Sequence, residues 1–487
     1  MSRILRLAVA VAVLTVLVAN GSTSGAAVPP PGPVQPVPTP RQLAWFDREM
    51  IAFVHFGVNT FTDREWGTGK EDPAIFNPTQ LDARQWARAC KAGGLKMIVL
   101  TAKHHDGFCL WPSALTDHGV KSSPWRGGRG DVVRELADAC RAEGLELGVY
   151  LSPWDRHEPT YGDSPKYNAY YLKQLDELLT GYGKVGELWF DGACGEGPNG
   201  KRQVYDFEAY WAAVRRLQPD ACMFSDVGPD VRWVGNERGF ASDPNWSMID
   251  KAAMRLGKRN AEQTHGRIDW PDFVPTEVNT SIRPGWFYHA AQDDKVKSLD
   301  HLLDIYYASV GMNGVMMLNI PPDRRGLFHE NDVARLREVK AVIDATFACD
   351  LARGKPATAT RVRGNADAYG PAGALDGNPD TFWATDDGVL SASMEVDLGE
   401  PVTFNRAMVR EAIRLGQRVK AFAVDAWADG QWKPLGRGQT VGHKRLLRFP
   451  DVTASKVRLA IEDARACPVI SAFGVFLAPS KAPSAST

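Results

Sequence analysis

From position 51 onward, short apolar runs alternate with amphipathic segments of helical period, the pattern of parallel strands joined by helices. Runs 51–54, 97–101, 147–151, 188–191, 222–226, 277–280 and 315–319 read as strands, each ending in polar or aromatic residues. Segments 86–95 and 136–145 echo one another: each carries a cysteine on its apolar face, Cys90 and Cys140, and closes on a glycine, Gly94 and Gly144, just before a strand. A glycine there supplies a left-handed helix end. Repeated units of this kind predict a (β/α) barrel, because no Gly-rich dinucleotide fingerprint follows the first strand to favour a doubly wound sheet.

The pattern changes after a last helix at 331–348. Alternating runs at 392–398, 404–409, 421–427 and 457–461, separated by turns such as Asp376-Gly377-Asn378-Pro379 and Asp429-Gly430, predict an all-β jelly-roll sandwich. The chain thus divides into a barrel at 41–350, a sandwich at 351–478 and a short Pro/Ser/Ala tail, read as disordered, at 479–487. Ahead of the barrel, basic residues, an apolar run from Leu7 to Ala19 and small residues through Ala27 have the three-part form of a secretory signal peptide, residues 1–27. A Pro-rich leader, 28–40, follows. The apolar run is shorter than the roughly 20 residues that span a bilayer, so the expectation is a secreted protein with no membrane anchor.

Composition narrows the partners. Lys and Arg total 57 against 58 Asp and Glu, and a net charge of -1 provides no field to gather nucleic acid. Seven cysteines, none in a CxxC spacing, read as packing residues, with one disulfide not required in a chain of 487 residues. Fifteen tryptophans exceed what packing alone asks, and indole faces stack well on sugar C–H faces.

The candidate chemistry lies at the strand ends, which meet at the C-terminal mouth of such a barrel. There stand His55-Phe56-Gly57, Glu65-Trp66-Gly67, Lys103-His104-His105-Asp106-Gly107-Phe108, Tyr150-Leu151-Ser152-Pro153-Trp154, Trp189-Phe190-Asp191 and, beyond the fifth strand, Trp233-Val234-Gly235-Asn236-Glu237. Imidazoles, carboxylates and indoles together suit a polyol with one apolar face. Cleaving a glycosidic bond needs one carboxylate at the anomeric carbon and one carboxylic acid for the leaving oxygen. Asp191 and Glu237 fill these roles, with imidazoles keeping Asp191 ionised, and with burial beside Trp233 and repulsion from Asp191 keeping Glu237 protonated. Glu277 is a rival for the acid. A metal hydrolase is disfavoured, because such sites usually carry His-x-His on the first strand and only His55 stands there.

These motifs, with Ser281-Ile282-Arg283-Pro284-Gly285-Trp286-Phe287-Tyr288, resemble family 29 of the glycoside hydrolases, the α-L-fucosidases, over about residues 40 to 350. The resemblance implies a (β/α) barrel, a retaining double displacement without a catalytic metal, and fucosylated oligosaccharides or glycoconjugates as partners. It carries the nucleophile onto Asp191 and the acid/base onto Glu237, whose Trp-x-Gly-Asn-Glu setting is similar to the branch acting on α-1,3- and α-1,4-linked fucose. Fucose contacts carry over to His55, Glu65, Trp66, His104, His105, Tyr150, Trp189 and Trp286. The stretch from Ala374 to Trp383 is similar to discoidin-like domains of coagulation-factor type, implying one structural calcium ion near the Asp-Gly turn, with Asp376 and Asp380 as its donors. A secreted retaining exo-α-L-fucosidase is the resulting expectation. The competing readings are a retaining exo-glycosidase for another sugar and a catalytically silent carbohydrate-binding barrel.

Overall fold

The computed structural model describes residues 27–254 and 261–480. The expected signal peptide, apart from Ala27, and residues 481–487 of the tail lie outside the described residues. Every element below belongs to the unit that begins at Pro31.

Eight parallel strands close into a barrel: β1 (Met50–Val54), β2 (Met97–Lys103), β3 (Glu146–Leu151), β4 (Glu187–Trp189), β5 (Cys222–Ser225), β6 (Val231–Trp233), β7 (Thr276–Ser281) and β8 (Gly314–Asn319). Each pairs with its sequence neighbours, and β8 returns to β1 with Met50 beside Met316 and Phe53 beside Asn319. Seven of the eight match the apolar runs. The one unanticipated strand, β6, has three residues, and its middle position is a charge: Arg232 is fully buried, its guanidinium donating to the carbonyl of Trp246 at 2.9 Å. An arginine at that position hides the strand from a hydrophobicity pattern.

Strand alternation sorts the core into two shells. Inward-facing Ile51, Phe53, Met97, Val99, Tyr150, Trp189, Cys222, Phe224, Val231, Val315 and Met317 fill the barrel, while outward-facing Ala52, Val54, Ile98, Leu100, Val149, Leu151, Leu188 and Phe190 pack under the helices. The helix Pro40–Phe46, opened by a reciprocal cap between Thr39 and Gln42, closes the base. Its Trp45 and Phe46, with Ile413, join the interior cluster, and Gln42 donates to the carbonyls of Asp230 and Phe273 at 2.7 Å. The two echoed helices are Ala83–Ala92 and Val132–Glu143, and Gly144 ends the second with φ of 74°. The last barrel helix is Glu330–Phe347.

Beyond it lies a seven-stranded antiparallel sheet around its own core, which includes Trp383, Met394, Phe404, Phe422, Leu459 and Phe473. Two expected strands, 392–398 and 404–409, prove to be one, Ala392–Glu411, interrupted where the register shifts between Asp397 and Val402. Pro401 falls in that shift, where a missing N–H costs no ladder bond. All seven cysteines are free thiols, five of them buried. No helix among the described residues is long and apolar enough to cross a membrane.

Candidate active site

On β4 and just past it, inward positions recur every second residue, stacking Glu187, Trp189 and Asp191 from the interior of the barrel to its mouth. Asp191 is the rung that reaches the pocket. Its Oδ2 accepts from the Tyr150 hydroxyl at 2.9 Å and its Oδ1 from the Ala193 main-chain N–H at 2.8 Å, so both oxygens are oriented by neighbours on β3 and on its own loop.

The pocket over Asp191 has a volume of about 200 Å³ and is lined by all ten residues anticipated there: His55, Glu65, Trp66, His104, His105, Tyr150, Trp189, Asp191, Glu237 and Trp286. Trp233, quoted with Glu237 in the sequence, joins the wall, and five residues not singled out complete it: Phe53, Ala193, Phe224, Asp226 and Asn279. Asp226 and Asn279 had a signal available, being polar residues at or near the ends of anticipated strands.

The three histidines are buried and neutral. His55 Nδ1 lies 2.8 Å from Asn319 Oδ1, whose amide nitrogen is committed to Ser281 and the Trp286 carbonyl, so Nδ1 is the donor and Nε2 is left as an acceptor. Burial pushes His55 down to about 3, and His105 adds to the depression against the bond from Asn319. His105 Nδ1 sits 2.8 Å from Ser152 Oγ, which itself donates to the Trp154 carbonyl. Its Nε2 is 3.8 Å from Asp191 Oδ2, too far for a hydrogen bond and open to a substrate hydroxyl. Burial lowers His105 as well, opposed by the charge of Asp191. His104, stacked on Tyr150, is held well below the usual imidazole range by burial and by its two histidine neighbours. Neutral imidazoles both donate to and accept from hydroxyls, which suits a sugar better than an anion.

Aromatic rings supply the rest of the wall. Trp189 stacks on Phe224 at 4.1 Å between centroids and turns its indole N–H down to Glu277 Oε1 at 2.8 Å. Trp66, 57 % exposed, stands at the rim edge-on to Trp154 and His105. Trp286 joins two carboxylates: its main-chain N–H donates to Glu65 Oε2 at 2.9 Å and its indole to Glu237 Oε2 at 3.2 Å. Behind Glu65, His289 bridges Asp63 at 2.8 Å and Glu65 at 2.7 Å, a contact that nothing in the sequence announced.

Two expectations need correction. Glu237 is exposed rather than buried beside Trp233, and its neighbour is Trp286. Glu277 does not line the pocket; it is fully buried beneath Trp189, where burial and the adjacent Glu187 hold it well above the usual carboxylate range. It supports the floor and does not face a substrate. In the sandwich, Asp376 spends its carboxylate on Asn378 N and Thr381 Oγ1, while Asp380 faces Arg414 at 3.4 Å. The Arg414 guanidinium donates to the carbonyls of Pro379 and Asp380 at 2.8 and 2.9 Å, so an organic cation already serves that turn. These residues do not fit a calcium site built on the two aspartates. Among the described residues no cluster of three or more His, Cys, Asp or Glu is arranged to hold a metal.

The geometry meets known proteins directly. Residues 37–345 match the α-L-fucosidase family model. The chain belongs to the α-L-fucosidase family. Membership makes it a glycoside hydrolase, and residues 356–471 match the F5/8 type C domain, the discoidin-like fold of the sandwich. A homologous chain of Oryza sativa subsp. japonica is 49% identical over 467 residues, covering 95% of this chain and 89% of its own length. Alpha-L-fucosidase 1 of Arabidopsis thaliana is 44% identical, covering 92% and 89%. Among solved structures, SpGH29 superimposes with a TM-score of 0.88 at 43% identity over 92% of this chain and 100% of its own. A Ruminococcus gnavus GH29 fucosidase in complex with fucose gives 0.87 at 33% identity, covering 94% and 98%.

Proposed function

We propose that this α-L-fucosidase is a secreted, retaining exo-enzyme that removes terminal α-1,3- or α-1,4-linked L-fucose from glycans. One observation carries the reading: Asp191, oriented through both oxygens, and Glu237, held by Trp286, line a single pocket from β4 and from the loop after β6.

In the first half-reaction an Asp191 oxygen bonds to the anomeric carbon as the bond to the leaving oxygen breaks, and the Glu237 carboxyl gives that oxygen its proton. In the second, the Glu237 carboxylate takes a proton from water, whose oxygen bonds to the anomeric carbon and releases Asp191. The net change is hydrolysis with retention. His55, His104 and His105 would meet sugar hydroxyls with uncharged nitrogens, and Trp66, Trp189 and Trp286 would cover the apolar side that carries the fucose methyl group. Linkage preference rests on the Trp233 to Glu237 stretch, and export on the residues ahead of the Pro-rich leader.

The test follows released fucose by NMR from trisaccharides of defined linkage, where the first-formed anomer reports retention. Asp191→Ala is expected to lose nearly all turnover. Glu237→Ala is expected to lose it on glycans and regain it with azide on aryl fucosides bearing good leaving groups. Ordinary turnover by Asp191→Ala, or initial release of the inverted anomer, would overturn the mechanism.

A further inference from the structure

The loop carrying Glu237 is completed by the other domain. At its start the barrel holds it: Val234 N donates to the Glu277 carbonyl at 3.0 Å and the Trp233 indole to Asn279 at 3.0 Å. Midway, Ala241 N reaches the Ala308 carbonyl at 2.9 Å. At the far end barrel residues such as Arg232, Thr276 and Asn313 hold the Asn245 and Trp246 oxygens, but the main-chain N–H groups of Asn245 and Ser247 find their partners in the sandwich. Asn245 N donates to Thr440 Oγ1 at 3.0 Å, and Gln417 takes Ser247 N at 2.8 Å while giving its amide hydrogen to the Asn245 carbonyl at 3.1 Å. Asp243 accepts from Gln439 N at 3.2 Å and pairs with Arg445 at 2.6 Å. Asn245, Ser247, Gln417 and Thr440 are all at most 1% exposed. Buried main-chain donors without a partner are costly, and these two N–H groups find theirs in the sandwich.

We propose that Gln417, Thr440 and Arg445 are positioning residues for the proton donor: the sandwich pins the end of the 235–247 loop and so sets where Glu237 stands over the pocket. This inference rests on the acid/base assignment of Glu237. The sandwich also touches the barrel at Asp304, Tyr307 and Asn313, but its contacts with this loop fall on the segment just beyond the acid, whereas Asp191 is anchored inside the barrel by Tyr150. Loosening the sandwich contacts would therefore impair proton donation selectively and leave nucleophilic attack intact.

Leaving-group dependence separates the two steps, because an aglycone that departs as a stable anion needs no acid. The full-length Gln417→Leu/Thr440→Val protein is expected to lose about tenfold or more in kcat/KM on a fucosyl disaccharide yet stay within about twofold on 2-chloro-4-nitrophenyl fucoside. Thr440→Ser, which keeps the hydroxyl, should behave as the parent, and the milder Asp243→Asn, which weakens the Arg445 pair from the barrel side, should show the same selectivity if the double variant folds poorly. In a Glu237→Ala background the sandwich changes should add no further selective loss. Equal losses on both substrates, or none on either, with Glu237→Ala itself selective, would overturn the positioning role alone. If Glu237→Ala lost equally on both, the acid assignment would fall, and this inference with it.

Discussion

The indole N–H of Trp286 donates to Oε2 of Glu237 at 3.2 Å, so a side chain from the loop after β7 orients the carboxyl on the loop after β6. Trp286→Phe keeps an aromatic wall and deletes that donor. The expected result is about a tenfold fall in kcat/KM on fucosylated glycans and a change of under about threefold on activated aryl fucosides. Steady-state kinetics on the two substrates measures it, and parallel losses would show that the indole serves binding instead.

Trp189 rests on a buried carboxyl whose proton is held more tightly than usual. Burial and the adjacent Glu187 hold Glu277 well above the usual carboxylate range, and its Oε1 accepts from the Trp189 indole. Glu277→Gln, a neutral shape mimic, should melt near the parent. Glu277→Leu strands the Trp189 N–H and should cost about 1–3 kcal/mol of stability by denaturant titration, with a raised KM from a loosened floor.

His289 links the rim to pH. Its burial opposes protonation, but the hydrogen bonds to Glu65 and Asp63 win and raise it above the ordinary 6.5. Charged, it donates from both nitrogens; neutral, from one alone. The bridge is therefore complete below 6.5 and is lost as pH rises through the elevated value. KM for aryl fucosides should climb as pH rises above about 6.5, and His289→Phe should flatten that climb while raising KM at acid pH.

The pocket histidines act with the opposite sign. Burial holds His55 down to about 3, whereas the unfolded chain takes up the same proton near 6.5. The unfolded state thus binds more protons in this window, and stability should decline as pH falls from 6.5 toward 3. Melting temperature against pH would record the slope, and His55→Gln should reduce it.

Because Arg414 already occupies the carbonyls of the Asp376 turn, dialysis against a chelator should leave the melting temperature of the protein unchanged, and added calcium should not raise it. A calcium-dependent upward shift would contradict this view of the turn.

What the residue pattern conveyed follows from how each feature is encoded. Most of the barrel strands are rich in apolar residues and leave hydrophobic marks, although β7 buries Thr, Glu, Asn and Ser around Val278; β6 is short and carries Arg232, whose charge is satisfied by main-chain carbonyls that no linear pattern displays. Asp191 was legible because strand alternation alone aims it at the mouth. The exposure of Glu237 was not, because a loop position has no period and its contacts come from Trp286, 49 residues away. Asn319 ended an anticipated strand and still escaped notice, since its role is to fix which nitrogen of His55 bears hydrogen. The Asp63, His289 and Glu65 bridge joins positions more than 220 residues apart, beyond the reach of any local rule.

Trp45, delivered by the capped helix Pro40–Phe46, donates to Glu187 at 3.2 Å from below. That helix works as a stopper. Proteolytic trimming on the far side of Thr39 would strip its cap and let solvent rise toward the two acids under the pocket floor, so a version of the enzyme shortened to the first barrel strand should be leaky at its base however intact its mouth.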